Sequence, residues 1–361
     1  MLIFISIMVL CFIFEAIRKT FSNKLLDFFS VAVIVCLASV MPAIRDVSVG
    51  TDTKMYVDFF SMDWTYFEWW IVAGIEPGFA FSIKLMQLIG INDYFYFLLL
   101  YSIIYNTLII STIYRISSGK YLSLIIFLTS SSLYFSHFNI LRQSIALAIF
   151  VFSLRYLFAG KVIKTYSLLV LAIFFHFSAV ILLAVPIIYK NINKRPVVII
   201  CASVAFLIIY SNASLVFSYF GDVVGTSKYT VYSKSNSFGG GYFIYVSLIL
   251  FFSIYVLLYT KLRCDKNYRF YCYLMFMSFM TWICMLVFGL KYDGPGRIIS
   301  YFYVGMLFII PEWLRVIERK AVPLIVFLIL IINLMIFYYV FVFSKLHGVF
   351  PYSINHIIMR G

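Results

Sequence analysis

The apolar residues of this chain fall in long blocks that recur from one end to the other, parted by short polar and basic patches. A helix needs roughly 20 apolar residues, and no fewer than about 17, to cross the hydrocarbon core of a bilayer. By that length, residues 25–41, 94–114, 140–158, 197–217, 242–260, 270–290 and 322–343 are predicted spans, and 1–17, 121–136 and 297–311 are shorter ones of the same kind. Two blocks fit less well. Residues 77–91 are too short and carry Lys84 and Gln87, while 166–189 is one apolar stretch interrupted by His176 and Ser178. The first reads as a re-entrant segment and the second as a bent hairpin. The predicted fold class is an all-α polytopic membrane protein, one integral membrane domain over 1–361, with about 10 full transmembrane helices besides those two segments.

Charge orients this arrangement. If both irregular segments enter and leave on one side, six basic clusters share a face: Arg18 to Lys24, Arg115 and Lys120, Arg155 to Lys164, Lys190 to Arg195, Lys261 to Arg269, and Arg315 to Lys320. They hold eighteen of the 28 basic residues, and the excess of Lys and Arg on cytoplasmic loops makes that face cytoplasmic. The net charge of +14 therefore records topology rather than nucleic-acid binding. Composition agrees, since 64% of residues are hydrophobic and only 12% charged, far from the balance of a soluble domain. The first block lacks a basic leader and a small-residue cleavage site, so it reads as a retained helix. Five of the six cysteines lie inside apolar runs without paired spacing, which points to neither a zinc site nor a disulfide framework.

The opposite face has a different inventory, gathered in predicted external loops at about 42–78 and 211–241. The first carries Arg45, Asp46, Asp52, Asp58, Asp63, Glu68 and Glu76 among tyrosines and tryptophans, and the same face takes "SHFNILRQ", "KYDGPGR" and the tail "KLHGVFPYSINHIIMRG". Carboxylates accept hydrogen bonds from hydroxyls and aromatic faces cover the apolar side of a sugar ring. An interfacial aromatic belt would account equally for Trp64, Trp69 and Trp70. On a helix beginning near 138, Asn139, Arg142, Gln143 and Ala146 form a narrow polar stripe that should face protein. Arg297, Ser300 and Tyr301 repeat it. An arginine at membrane depth costs at least ~2.5 kcal/mol on insertion scales, so it pairs with something or serves a site, unless it snorkels to lipid phosphate. Arg45, Arg142 and Arg297 together suit a shared anionic ligand such as a phosphate. His176 lies at the break of an apolar run, where it is either a core residue bonded to backbone or a group lining a cavity. The spacing of Asp52, Asp58 and Asp63 matches no recognised ligand set, and no metal is expected.

The stretches "RDVSVGTDTKMY" (45–56), "EPGF" (76–79), "FNILRQSIALAI" (138–149), "FFHFSAV" (174–180) and "GRIISYF" (296–302) fall in an order and spacing that resembles the exopolysaccharide and O-antigen polymerases of the Wzy/EpsG type. The resemblance runs from about 45 to 302, and residues 221–241 match nothing in it. It implies a bacterial inner-membrane glycosyltransferase with a fold similar to the GT-C type. Such an enzyme polymerises polyprenyl-diphosphate-linked oligosaccharide repeat units on the periplasmic face, without a cofactor or nucleotide, with a chain-length regulator protein as a further partner. The matching positions are Arg45, Asp52, Tyr56, Glu76, Arg142, Gln143, His176 and Arg297.

The chemistry so implied needs positive charge for the departing diphosphate and a base for the acceptor hydroxyl. Asp52 or Glu76 is the first choice of base and His176 the next, with Arg45, Tyr56, Asn139, Arg142, Gln143, Arg297 and Tyr301 binding substrate. Other classes stay open: a ligase using the same carrier, a flippase, or a membrane sugar acyltransferase. A flippase should show two similar halves, and the sequence has no internal repeat.

Overall fold

In a computed structural model of the chain, residues 2–20, 24–62, 74–212, 240–290, 295–345 and 348–355 are described. Asp63, Trp64, Glu68, Trp69 and Trp70, and nearly all of the predicted loop at 211–241, lie outside them. In chain order the helices are α1 (Leu2–Thr20), α2 (Lys24–Ile44), α3 (Thr53–Ser61), α4 (Pro77–Leu88), α5 (Tyr94–Ile116), α6 (Lys120–Thr129), α7 (Leu141–Phe158), α8 (Val162–Phe175), α9 (Val185–Asn191) and α10 (Pro196–Ser211). There follow α11 (Gly240–Tyr259), α12 (Lys266–Val287), α13 (Ile299–Tyr303), α14 (Met306–Trp313) and α15 (Val322–Phe337). An apolar solvent offers the backbone no partners, so runs of this composition close their own hydrogen bonds as helices.

Five stretches among the described residues are long and apolar enough to cross a membrane: Leu25–Ile44, Tyr94–Ile116, Leu141–Phe158, Lys266–Val287 and Arg319–Phe343. The protein is thus a multi-pass membrane protein. Other predicted spans are shorter in the structure. The block 121–136 stays helical only to Thr129, and 297–311 breaks into α13 and α14 around Gly305. A Cβ at Gly305 would stand 2.9 Å from Cβ of Leu274, so this break lets the chain press onto α12. Hydropathy registers transfer free energy and not these backbone breaks. α7 is the central strut, with 72% of its span buried, against 28% for Arg319–Phe343 at the periphery. It packs against α5 on one side and α8 on the other.

The block 166–189 forms the predicted bent hairpin. α8 runs to Phe175, the backbone turns extended at His176, a 3-10 segment covers Phe177–Ala184, and α9 leads back. Tyr189 returns to the end where α8 began, its ring 5.2 Å from that of Phe158 at the foot of α7. Residues 77–91 hold the single short helix α4. Gln87, near the end of α4, donates to the carbonyls of Phe60 (2.7 Å) and Met62 (2.8 Å) at the end of α3.

The C-terminal segment straps the loop after α2. Arg45 and Ile354 form an antiparallel bridge, flanked by Asp46 N–H donating to Ser353 (3.0 Å) and Asn355 N–H donating to Ile44 (2.9 Å). The loop at 45–52, the turn at 135–140, the turn at 295–298 and the tail meet at one end of the bundle, the grouping that charge alone proposes.

Candidate functional site

At this end α4, α7 and α8 converge on one carboxylate. Glu76 precedes Pro77, whose fixed φ and missing N–H suit the first helical position. The Glu76 side chain does not cap its own helix and reaches across to α8. Gly78 permits the approach: a Cβ there would stand 2.8 Å from the carbonyl oxygen of Phe174. Two residues on, α8 ends and His176 turns its ring back, so that Nδ1 lies 2.7 Å from Oε1 of Glu76. The other carboxylate oxygen, Oε2, accepts from Arg142 Nη1 in the first turn of α7. Burial works against a charge on Glu76, but the hydrogen bond from His176 and the Arg142 guanidinium outweigh it and hold the carboxyl down to about 2. Glu76 therefore stays ionised as an anchor between two cations or donors.

A second pair lies beside the first. Arg297 Nη2 is 3.5 Å from Asp52 Oδ2, with both side chains partly exposed. Its backbone is tied to α7 by Gln143, the neighbour of Arg142, whose Nε2 donates to the Arg297 carbonyl (2.6 Å) and to Ser300 Oγ (3.1 Å). Tyr56 of α3 sits among these charges. The Arg142 guanidinium carbon is 6.0 Å from the centre of its ring, and Asp52 and Arg297 both act on its hydroxyl, which burial pushes up.

The structure redistributes the residues singled out in the sequence. Asp52, Tyr56, Glu76, Arg142, Gln143, His176 and Arg297 come together. Arg45 does not join them. It is 0% exposed, held by Thr53 Oγ1 (3.2 Å from Nε) and the Pro42 carbonyl under the Phe138 ring, so it cannot share a ligand with Arg142 and Arg297 in this arrangement. Asn139 is not on the α7 stripe. The helix begins at Leu141, and Asn139 closes the preceding 3-10 turn with its amide oxygen 2.6 Å from where a Cβ of Gly50 would stand. Gly50 has φ +92°, a conformation and a tightness that both require glycine. Tyr301 is fully enclosed and meets Ser178 Oγ at 3.2 Å, bracing the chain just past His176 rather than facing a ligand. Gly78 and Ser178 are positions that reading for charge passes over, although both lie within the quoted stretches. The side chains left partly open are His176 and Arg297, each 25% exposed, Asp52 at 20% and Arg142 at 14%. Among the described residues no group of three or more His, Cys, Asp or Glu side chains could hold a metal ion.

These placements separate structure from chemistry experimentally. Arg45→Ala would strand the buried acceptors that its guanidinium satisfies, a loss of about 1–3 kcal/mol or more. The thermal midpoint of the detergent-solubilised protein should fall clearly for Arg45→Ala and little for Arg297→Ala, whose side chain is partly solvated.

A family model, the EpsG family, matches residues 28–354. No curated protein and no solved structure matches the chain significantly.

Proposed function

The chain belongs to the EpsG family, and from that premise we propose that it is a glycosyltransferase polymerising polyprenyl-diphosphate-linked oligosaccharide repeat units outside the cytoplasmic membrane, for an exopolysaccharide or O-antigen. The observation that supports this reading is the carboxylate of Glu76 holding His176 by one oxygen and Arg142 by the other, beside the partly exposed Asp52–Arg297 pair.

In this reading His176 is the base. With its Nδ1–H donated to Glu76, the other ring nitrogen is left to accept a proton, and the fixed carboxylate stabilises the imidazolium that results. The acceptor hydroxyl oxygen forms a bond to the anomeric carbon of the donor, and its proton passes to His176. The bond from that carbon to the diphosphate breaks, its electron pair leaving on the diphosphate oxygen. Arg297 and Arg142 supply positive charge there, Arg297 with bidentate capacity for phosphate. Glu76, ionised and enclosed, serves as the positioning group rather than as the base, and Asp52 holds Arg297. The fold reading that accompanies this is a GT-C-like bundle of about ten crossings, with the site facing outward as the basic clusters require.

Complementation of a polymerase-deficient strain tests the proposal. A glycan ladder supports it, whereas a single repeat unit on the lipid core refutes it, and an uncapped core points to a ligase or a flippase. Orientation is checked separately. A reporter fused after Lys194 should read cytoplasmic and one after Lys234 external, and the opposite readings would place the site on the wrong side of the membrane. Gly78→Ala should force α4 off α8 and pull Glu76 from His176. A displacement of this kind costs on the order of 100-fold in rate, visible as a shortened ladder at unchanged protein amount.

A further inference from the structure

The end of the bundle opposite Glu76 carries a different charged feature. α12 starts there at Lys266 and runs about 33 Å to Val287, at 1.5 Å per residue, before the chain reaches Arg297. Against its first turns lies a groove of about 580 Å³ on the outer surface of the bundle. Leu250, Ile254 and Leu258 of α11 form one wall, and Cys272, Tyr273 and Phe276 of α12 form the other. Leu250, Cys272 and Tyr273 are buried at its floor, while Leu258 and Phe276 stand exposed at its rim. One end of the groove differs in kind, because Arg263 and Arg269 line it. From Arg269 the apolar lining runs along α12 to Phe276, about 10 Å at the same rise per residue.

Little within the protein neutralises the charge at that end. Asp265, the acidic residue between the two arginines, is committed elsewhere. Its Oδ1 accepts from the backbone N–H groups of Asn267 (2.9 Å) and Tyr268 (3.2 Å), and its Oδ2 lies 3.0 Å from Nη1 of Arg315. Arg269 donates through Nε to the Arg263 carbonyl, which ties the two together. Among the described residues neither guanidinium is paired with a carboxylate. Further cations stand close by. The Tyr189 hydroxyl donates to Oδ1 of Asn267 (2.7 Å), which brings the loop of Lys190, Lys194 and Arg195 to the start of α12, and Ile192 of that loop lines the groove.

We propose that the groove between α11 and α12 binds an anionic glycerophospholipid of the surrounding bilayer, with its phosphate on Arg263 and Arg269 and one acyl chain laid along the apolar walls. The two guanidinium groups suit a phosphate, and basic pockets between spanning helices select anionic headgroups. A zwitterionic lipid offers the same hydrocarbon but brings its own cation to the arginines. The proposal does not depend on the glycosyltransferase reading, since groove and site lie at opposite ends of the bundle.

Native mass spectrometry of the full-length protein in detergent tests it, with dioleoyl phosphatidylglycerol and dioleoyl phosphatidylcholine as probes. Phosphatidylglycerol should bind the more tightly, and the double variant Arg263→Gln/Arg269→Gln should weaken it on the order of 30-fold, the worth of two arginines at a membrane surface. Arg319→Gln/Lys320→Gln removes the same charge away from the groove and should change binding little. Ile254→Trp tests the groove without touching either arginine. It should fill the apolar wall and weaken phosphatidylglycerol by a similar factor, whereas Phe251→Trp, exposed on the same helix but outside the groove, should not. Glycerol 3-phosphate, the headgroup chemistry without acyl chains, should not compete. Equal binding of the two lipids, equal losses from the two double variants, or an Ile254→Trp protein that binds normally would reduce the effect to surface charge or bulk lipid and overturn the proposal. A protein dimer that dissociates in Arg263→Gln/Arg269→Gln, with no lipid adduct in the wild type, would assign the groove to a second copy and overturn it as well.

Discussion

His176→Ala, at an unchanged amount of protein in the membrane, should reduce polymerisation by roughly 10²- to 10⁴-fold, the usual worth of a positioned general base. The expectation follows from the way the ring is held. Nδ1 is 2.7 Å from a carboxylate that is itself clamped by Arg142, and a quarter of the His176 side chain stays open. A histidine that merely filled the core would instead lower the amount of protein recovered from the membrane, leaving activity per molecule near normal. Glu76→Gln provides the companion measurement. An amide keeps the shape but carries no charge to stabilise an imidazolium, so it too should lose most activity. If the two residues act as one unit, the double variant should be little worse than either single one. Additive losses, or a normal ladder from His176→Ala, would return the role of base to Asp52.

Arg142→Lys should be nearly as damaging as Arg142→Ala. A snorkelling arginine tolerates lysine, because either side chain reaches lipid phosphate. Arg142 points the other way. Its guanidinium contacts Glu76 and lies within 6.0 Å of the ring centres of Tyr56 and Phe79, with 14% of the side chain exposed. Lysine keeps the charge but loses the planar fork that can engage a carboxylate on one edge and a phosphate on another. It would leave Glu76 poorly held, and His176 with it. Both variants should be compared at equal membrane levels, with Arg195→Lys in a basic loop as the change expected to have no effect. Full-length polymer at the normal rate from Arg142→Lys would mean that this arginine supplies only charge, and diphosphate binding would then rest on Arg297.

The acid side of the pH range offers a third check. The Glu76 carboxyl titrates near 2 in the folded protein, below its ordinary value of 4.5. Its ionic contacts therefore contribute stability that is complete above about 4.5 and is lost as pH falls toward 2. The difference in thermal midpoint between wild type and Glu76→Gln should shrink over that window.

Apolar block length and the placement of basic clusters are properties of consecutive residues, so the sequence by itself determined the helical membrane architecture. It also pointed to the bent hairpin, because counting 166–189 as a single crossing would put the later basic loops on the outer face. The five quoted stretches carried the resemblance to the family and most of the site, since each is a short run of consecutive residues that a sequence displays directly. What the tertiary structure decided is who meets whom. Glu76 is 66 residues from Arg142 and 100 from His176, and their contact depends on α4 lying flush against α8 at Gly78. No local pattern encodes that approach. Arg45 and Arg142 look alike in sequence, each an arginine near a polar companion. Only the strap of residues 348–355 and the lid of Phe138 enclose one of them, while the start of α7 at Leu141 leaves the other against Glu76 and partly exposed. Hydropathy measures how each residue prefers water to lipid, whereas burial of a particular charge beside a particular partner depends on the packing of helices far apart along the chain.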